Sequence, residues 1–389
     1  MSTLKVNTIN AATSGQAVDV DIKEPKSFRN LIINGAMNIA QRGTSTSTNG
    51  DLCCDRWKCQ FEGNDEAPTF TQHALTSSDT GPWEKGFRNS LHVTNGNQTS
   101  GAGATDEVNF YYQFEAQDIA NSGWDYTSSS SYVSFSFWVK SSVAQNFYGA
   151  FTSRDGTNRS YTFETGTLSA NTWTKIEKTI PGSSNIQIDN NNAEGMTLHI
   201  TPFYGTDYTA SGVTLDAWVT KNSSQLFPDN TSTWYTTNDA TFEFTGVQLE
   251  VGSVPTEFEH RTYGDELARC QRYYYKHAFG TSVAPAGQPG NDDYPVGMCA
   301  IYTTSNGFGY IQYPVTMRAL PTLDVATGSG YYDVYANNGN DGFNDVGAQK
   351  FGTTCAVVNY TDGFSKDTGH AGWIQVDNAN AYIAFSAEL

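Results

Sequence analysis

A chain of 389 residues is too long for one ordinary hydrophobic core and implies two or three folded units. Its 22 Lys and Arg stand against 40 Asp and Glu, and a formal charge of -18 would repel a duplex or an anionic bilayer, which argues against nucleic acid as a partner. Charged residues make up only 16%, while 36 Gly, 22 Tyr, 22 Phe and 8 Trp supply turns and apolar area, so the composition excludes disorder as the main state and favours sheets with polar loops.

The opening MSTLKVNTIN has no basic stretch leading into an apolar one, and no run reaches the roughly 18 apolar residues of a membrane span. The expectation is a protein made and folded in a cytoplasm, without membrane insertion. Cys53, Cys54 and Cys59 lack the spacing of zinc ligands and have no His beside them; with Cys270, Cys299 and Cys355 they read as free, buried thiols.

Residues 1–27 carry two short alternating runs, Leu4 and Val6, then Val18, Val20 and Ile22, around a turn at Ala12 to Gly15. This hairpin pattern is too small to bury a core and must pair with something else. From 28 to 261 strand follows strand. Phe110, Tyr112 and Phe114 alternate with polar residues, as do Val133, Phe135, Phe137 and Val139, and Val213, Leu215, Ala217 and Val219. Such alternation buries one face of an antiparallel sandwich, and eight or more such strands suggest a jelly roll. In Thr241 to Val251 the apolar parity switches at Gly246, which predicts a bulge there. Trp57 and Trp138 read as packing residues.

One good helix falls in 262–276, read as a short neck. Thr262 can cap it with Asp265 at the third position, acids lead and Arg269 and Arg272 follow, as the helix dipole favours. Leu267, Cys270 (or Gln271) and Tyr274 make one stripe, which identical chains could share as a trimer interface; a helix lying on its own sandwich stays equally open. Residues 277–389 form a second β unit. Ile311, Tyr313, Val315 and Met317 alternate, with Pro314 demanding an edge or a bulge, and Ile383, Phe385 and Ala387 alternate after them. The stretches YYDVYANNGNDGFNDVG and NYTDGFSKDTGHAGW read as long polar loops. The fold class is therefore mainly β: a jelly-roll sandwich, a short helix and a second β-sandwich.

Three segments carry a resemblance: NLIINGAMNIAQRGTS, the DRW at Asp55 to Trp57, and TGVQLEVGSVPTEFEHRTYGDELARCQRYYYK. Together they resemble the recurrent module of bacteriophage tail-fibre and related virion proteins, in which a carbohydrate-binding-module-like jelly roll is followed by a helix and a β head. PVTMRALPTLDV and AYIAFSAEL are similar to that head, and MSTLKVNTIN is similar to the start of many virion proteins of marine and cyanobacterial phages. The resemblance implies a homotrimer on the virion, joined to other virion proteins through residues 1–27 and touching a host-surface glycan distally. A structural virion protein (head fibre, capsid decoration or tail adaptor) is the alternative, and a polysaccharide depolymerase a weaker one. Carboxylates often follow the opening Asn-Gly in such jelly rolls and help hold calcium. Here Ala36, Met37 and Asn38 follow Asn34-Gly35, so Glu250 lacks an acidic mate; no cofactor is expected, with calcium on backbone carbonyls the alternative kept open.

No repeat of β-helix length, G-x-S-x-G, H-E-x-x-H or phosphate loop occurs, and the six His are scattered, so binding without catalysis is expected. Sugar binding needs exposed rings with amide or carboxylate neighbours. Candidates are Trp83, Trp124 and Trp234 in the jelly roll, and Tyr331, Tyr332, Tyr335, Phe343 and Trp373 in the second unit, which is expected to carry the cell contact.

Overall fold

A computed structural model describes residues 29–280, 294–336 and 339–389, so the N-terminal hairpin pattern lies outside the described residues. The molecule is mainly β, with two sandwiches in sequence. In the first, a six-stranded sheet runs in the order Ser45–Thr46, Thr69–Ala74, Asn89–Thr94, Thr241–Val251, Tyr132–Ser141 and Thr174–Pro181. It faces a seven-stranded sheet ordered Trp218–Thr220, Arg159–Thr167, Asn146–Ser153, Glu194–Tyr204, Glu107–Glu115, Trp57–Glu62 and Gly50–Asp51. Neighbours within each sheet are antiparallel. The alternating residues Phe110, Tyr112 and Phe114 meet Val133, Phe135, Phe137 and Val139 in one buried core, with Trp57 among them.

The bulge at Gly246 is present. Pairing of Thr241–Val251 with Tyr132–Ser141 shifts between Thr245 and Gln248, and Gly246 has φ +64°. Phe242 and Phe244 before it, and Val247 and Leu249 after it, are all fully buried. The extra residue lets both parities face one core.

The opening segment seats on this bulged strand. Leu31 N donates to Leu249 O at 2.8 Å, Val247 N donates to Gly35 O at 2.9 Å, and Asn30 Nδ2 donates to Val247 O at 3.1 Å. Asn34 takes the left-handed conformation, φ 59°, which an Asn side chain tolerates by bonding locally. Its Nδ2 donates to Ile39 O and Asp55 O, and its Oδ1 accepts from Ile39 N. The Asn-Gly pair and the DRW turn are thus one hydrogen-bonded unit. Glu250 is already engaged: it accepts from Thr256 N at 2.6 Å and lies 3.3 Å from the Arg29 guanidinium. A cationic side chain in that place does not fit a calcium site.

The helix, Tyr263–Gln271, is capped as expected, with Asp265 N donating to Thr262 Oγ1 at 3.3 Å. It lies on its own chain: Cys270 and Tyr273 pack with Ile33 and Ile39, Leu267 leans on that cluster, and Glu266 accepts from Asn34 N. Cys270 (0% exposed) and Tyr274 (2%) are buried inside the chain, which corrects their assignment to an intersubunit stripe with Leu267; Leu267 itself is half-buried. The apolar stripe found cover nearer at hand, as a nine-residue helix requires.

The second sandwich begins at Tyr274, within the stretch read as a neck. A three-stranded sheet, Tyr274–Phe279, Tyr382–Ser386 and Thr322–Val325, faces a seven-stranded one. The latter runs Gly339–Phe343, Tyr332–Ala336, Ala371–Val376, Tyr294–Thr303, Asn306–Gln312, Cys355–Thr361 and Asp345–Phe351. Tyr332, Val334, Ile374, Ile301, Ile311 and Val358 of one sheet meet Ile383 and Phe385 of the other.

Three local expectations are corrected. The stretch 331–347, read as a loop, contains two strands and the start of a third, because pairing supplies what its Gly, Asn and Asp lack in β propensity. The strand at Ile311 ends at Gln312, so Pro314 sits outside an interior strand rather than on an edge. Residues 213–217 form no strand; only Trp218–Thr220 does, with an isolated bridge at Leu215. Five cysteines are buried free thiols and Cys355 is half-buried. Among the described residues no helix is long and apolar enough to cross a membrane.

Candidate functional site

The seven-stranded sheet of the second sandwich turns one face to its core and the other to solvent, and the solvent face carries large apolar side chains. Strand period decides which. In Ala371–Val376, Gly372, Ile374 and Val376 point inward, leaving Trp373 outward and 55% exposed. In Tyr332–Ala336, Tyr332, Val334 and Ala336 point inward and Tyr335 outward. Register sets these side by side: Tyr335 pairs with Trp373 and Trp373 with Met298. The Tyr335 and Trp373 rings are 5.4 Å apart between centroids.

The next strand continues the row. Cys299 pairs with Gly309, which brings Tyr310 beside Met298, and Tyr310 pairs with Val357. Tyr302 packs its ring 5.2 Å from Phe308 on the same face. Met298, Tyr302 and Tyr310 are each about 60% exposed. Five adjacent strands therefore present Tyr335, Trp373, Met298, Tyr310 and Val357 in line, about 19 Å at the ~4.8 Å spacing of strands. Amides border the row: Gln312 accepts from the Tyr310 hydroxyl at 2.6 Å, Gln375 lies two residues from Trp373, and Asn359 is opposite Phe308. Hydrogen bonding with the Cys355 thiol raises the Tyr310 phenol above its ordinary value.

A contiguous exposed apolar face on a folded unit marks a contact surface. Flat rings with an amide fringe can take the C–H face of a sugar and bond to its hydroxyls.

Of the residues singled out in the sequence, the structure brings Tyr335 and Trp373 together on this face. Tyr332 and Phe343 are buried and stacked, 5.4 Å apart, with the Tyr332 hydroxyl donating to Ala326 O at 2.6 Å. Tyr331 leans on the same core. Trp124 and Trp234 are buried in the first sandwich, their Nε1 groups donating to Ser131 O and Thr241 O. Trp83 is half-buried with the Arg88 guanidinium 3.8 Å over its ring. Tyr332, Phe343, Trp124 and Trp234 are thereby corrected from glycan candidates to core residues, since a ring enclosed on both faces has none to offer. Sequence reasoning missed Met298, Tyr302 and Tyr310. Their signal was the period-2 set Met298, Ala300, Tyr302, but its neighbours Cys299 and Ile301 are apolar too, and parity alone could not say which set faces out.

No family model matches the chain, and no curated protein matches it in sequence. Among solved structures it is similar to the enzymatically active domain of tailspike protein 4 of bacteriophage CBA120, at 11% identity and TM-score 0.29, over 57% of this chain and 21% of that one. A second is the CBM22-1–GH10 part of Clostridium thermocellum xylanase 10B with xylohexaose, at 12% identity and TM-score 0.28, over 58% and 29%. A third is a putative sugar binding protein from Bacteroides thetaiotaomicron, at 10% identity and TM-score 0.30, over 58% and 100%. The chain thus spans less than a third of the first two.

Proposed function

We propose that this chain is a non-catalytic adhesion protein of a tailed-phage virion, a tail fibre whose second sandwich holds host-surface glycan on the Tyr335–Trp373–Met298–Tyr310 row. The observation that carries this reading is the row itself: four large side chains, from 36% to 63% exposed, aligned by register across four neighbouring strands. The virion setting, with attachment through residues 1–27, rests on the likeness of the Asn-Leu-Ile-Ile-Asn-Gly and Gln-Leu-Glu-Val-Gly segments to virion fibres. With an overall charge of -18, attraction to an anionic envelope cannot supply the contact, so stacking and hydrogen bonds must.

The test uses the whole chain as a competitor of phage adsorption. Wild type blocks adsorption, and Tyr335→Ala/Trp373→Ala is expected to block about 10- to 100-fold less well, the loss of two stacked rings. Because both side chains lie at the surface, its melting temperature should stay within a degree or two. Equal blocking by the double variant would remove the row from the contact. Blocking by neither protein would favour the structural virion reading, with the row packed on a neighbouring protein. Release of new reducing ends from host polysaccharide would reinstate the depolymerase.

The same reading includes a homotrimer. Tyr263 (65% exposed), Phe279 (42%) and the half-buried Leu267 line one open apolar depression, which a second copy could cover. Light scattering is expected to give about three times 42.5 kDa, and Tyr263→Asp/Phe279→Asp to reduce it. A monomer mass for wild type at micromolar concentration would defeat the trimer.

A further inference from the structure

The outward face of the six-stranded sheet in the first sandwich brings an amine and two carboxylates to bonding distance. Lys140, on Tyr132–Ser141, pairs directly with Glu243 on Thr241–Val251, and parity turns both side chains away from Val139, Phe242, Phe244 and the core. Lys140 Nζ lies 2.8 Å from Glu243 Oε1 and 2.9 Å from Asp79 Oδ1. Asp79 comes from the loop between Thr69–Ala74 and Asn89–Thr94. Its backbone is tied on both sides, its N donating to Thr76 O at 2.9 Å and its O accepting from Trp83 N at 3.1 Å. The side chains are mostly covered: 19% of Lys140, 13% of Asp79 and 3% of Glu243 remain exposed. The Trp173 ring, 4.8 Å from the Lys140 ammonium, adds an apolar wall that packs on Leu75 and Phe87.

The two oxygens of the Asp79 carboxyl have different surroundings. Oδ2 accepts from Thr76 N at 2.9 Å and from Thr76 Oγ1 at 3.2 Å, while Oδ1 faces Lys140 and accepts from Trp173 Nε1 at 3.0 Å. Two fixed donors on one oxygen are what a developing oxyanion needs. Glu243 touches the amine with Oε1, and its Oε2 is held by Ser90 Oγ at 2.7 Å, with His73 Nδ1 at 3.2 Å. Nucleophile, electrophile, proton carrier and oxyanion donors therefore converge, where an ion pair alone would need only the first contact.

We propose that Lys140 and Asp79 condense into an intramolecular isopeptide bond, with Glu243 carrying the proton. Lys140 Nζ first passes a proton to Asp79 Oδ1, which leaves a neutral amine and a carboxylic acid. The amine lone pair attacks Cγ, the Nζ–Cγ bond forms, and the negative charge moves to Oδ2, where the Thr76 donors hold it. Glu243 takes a proton from Nζ and returns one to Oδ1. The Cγ–Oδ1 bond then breaks, Oδ2 becomes the amide oxygen and one water leaves, with no oxidant or co-reactant consumed. Burial favours the acid form of Asp79, but hydrogen bonds from Trp173, Thr76 and Lys140 outweigh it and hold the carboxyl below its ordinary range. Burial likewise opposes the Lys140 charge, and Glu243 and Asp79 outweigh it. The ion pair is thus the resting state, and closure takes hours to days. Groups fixed side by side react at effective molarities of roughly 10⁵ M or more, far above the water that opposes an amide. The bond ties a surface loop to an interior strand and closes residues 79–140 into a ring. It uses no residue of the aromatic row and stands apart from the adhesive reading.

Intact mass spectrometry of the denatured full chain tests it. After a week at neutral pH the wild type is expected to be lighter than its sequence mass by one water, about 18 Da. A protease digest is expected to contain the Lys140 peptide joined to the Asp79 peptide. Lys140→Arg, which keeps the ion pair but offers no nucleophilic amine, is expected to fold and to keep its full mass. Glu243→Gln is expected to close at least tenfold more slowly than wild type. A wild type at full sequence mass, a lost water without the joined peptides (as an Asp succinimide would give), or the same loss in Lys140→Arg would each overturn the inference. So would a folded Glu243→Gln that closes as fast as wild type; if that variant does not fold, the wild-type mass and digest beside Lys140→Arg decide.

Discussion

Gly35→Ala is expected to prevent folding of the first sandwich. A Cβ at position 35 would sit 2.1 Å from Val247 O and 3.1 Å from its carbonyl carbon, and those are backbone atoms that no rotamer change can move. The peptide around Val247 is pinned from several sides: Val247 N donates to Gly35 O, Val247 O accepts from Asn30 Nδ2, and Leu249 N donates to Asn30 Oδ1. Relief would have to pull the opening segment off the bulged strand and expose Ile32, Met37 and Ile39, all fully buried. Overpacking against side chains costs ~1–3 kcal/mol. Against a fixed backbone the cost should reach about 4 kcal/mol or more, a large part of the ~5–15 kcal/mol that keeps a domain folded. The measurement is soluble yield and thermal melting beside Gly43→Ala. Gly43 has φ +110° and open space around its Cβ, so that change carries only backbone strain of about 1 kcal/mol. A Gly35→Ala protein melting within a few degrees of Gly43→Ala would mean that the opening segment is not seated where the structure has it.

The sequence showed the first sandwich more plainly than the second, and the difference is physical. In the first, apolar residues alternate with Ser, Thr and Lys, so parity and the switch at Gly246 were legible from local pattern alone. In the second, Tyr331, Tyr332 and Tyr335 crowd one stretch, and only cross-strand register decides that Tyr335 faces out while Tyr332 faces in. Register is a non-local property, so a one-residue ambiguity inverts every side chain. The strands at 339–343 and 345–351 were hidden because Gly, Asn and Asp read as loop; what holds them is pairing and the Tyr332–Phe343 stack. The helix misled in another way. Its stripe announced that something covers it, but a helical pattern cannot say whether the cover is a second copy or the chain's own Ile33 and Ile39.

The largest electrostatic effect is expected at the junction of the two sandwiches, where Arg56→Met should cost about 3 kcal/mol and Glu388→Gln more. Arg56 is 2% exposed, lies 3.4 Å from the Tyr273 ring centroid, donates to Gln113 O at 2.7 Å and pairs with Glu388, itself almost wholly buried. Burial is the largest influence and opposes the charge on Arg56, but Glu388, Tyr112 and Tyr273 together outweigh it and leave the guanidinium firmly protonated. Removing Arg56 leaves the Glu388 carboxylate with Arg42 at 3.5 Å, a partial substitute. Removing the Glu388 charge leaves a cation facing two phenol rings and one carbonyl, a costlier orphan, because breaking a buried pair strands a charge away from water, at ~3–5 kcal/mol. Arg318 clamps the same junction, donating to Ala387 O, Glu388 O and Asn192 O, so the second sandwich should stay attached in Arg56→Met but melt separately in Glu388→Gln. Calorimetry would show that as one transition becoming two. Arg56→Met/Glu388→Leu, with both charges gone and apolar volume restored, is expected to recover to within about 1 kcal/mol of wild type, because the pair's worth lies mostly in not being broken. A double variant as unstable as the sum of the two singles would show that the groups do not interact, and that the second sandwich is held to the first by Arg318, by polar contacts such as Lys58 Nζ to Leu389 O and Gln41 Nε2 to Tyr274 O, and by apolar packing.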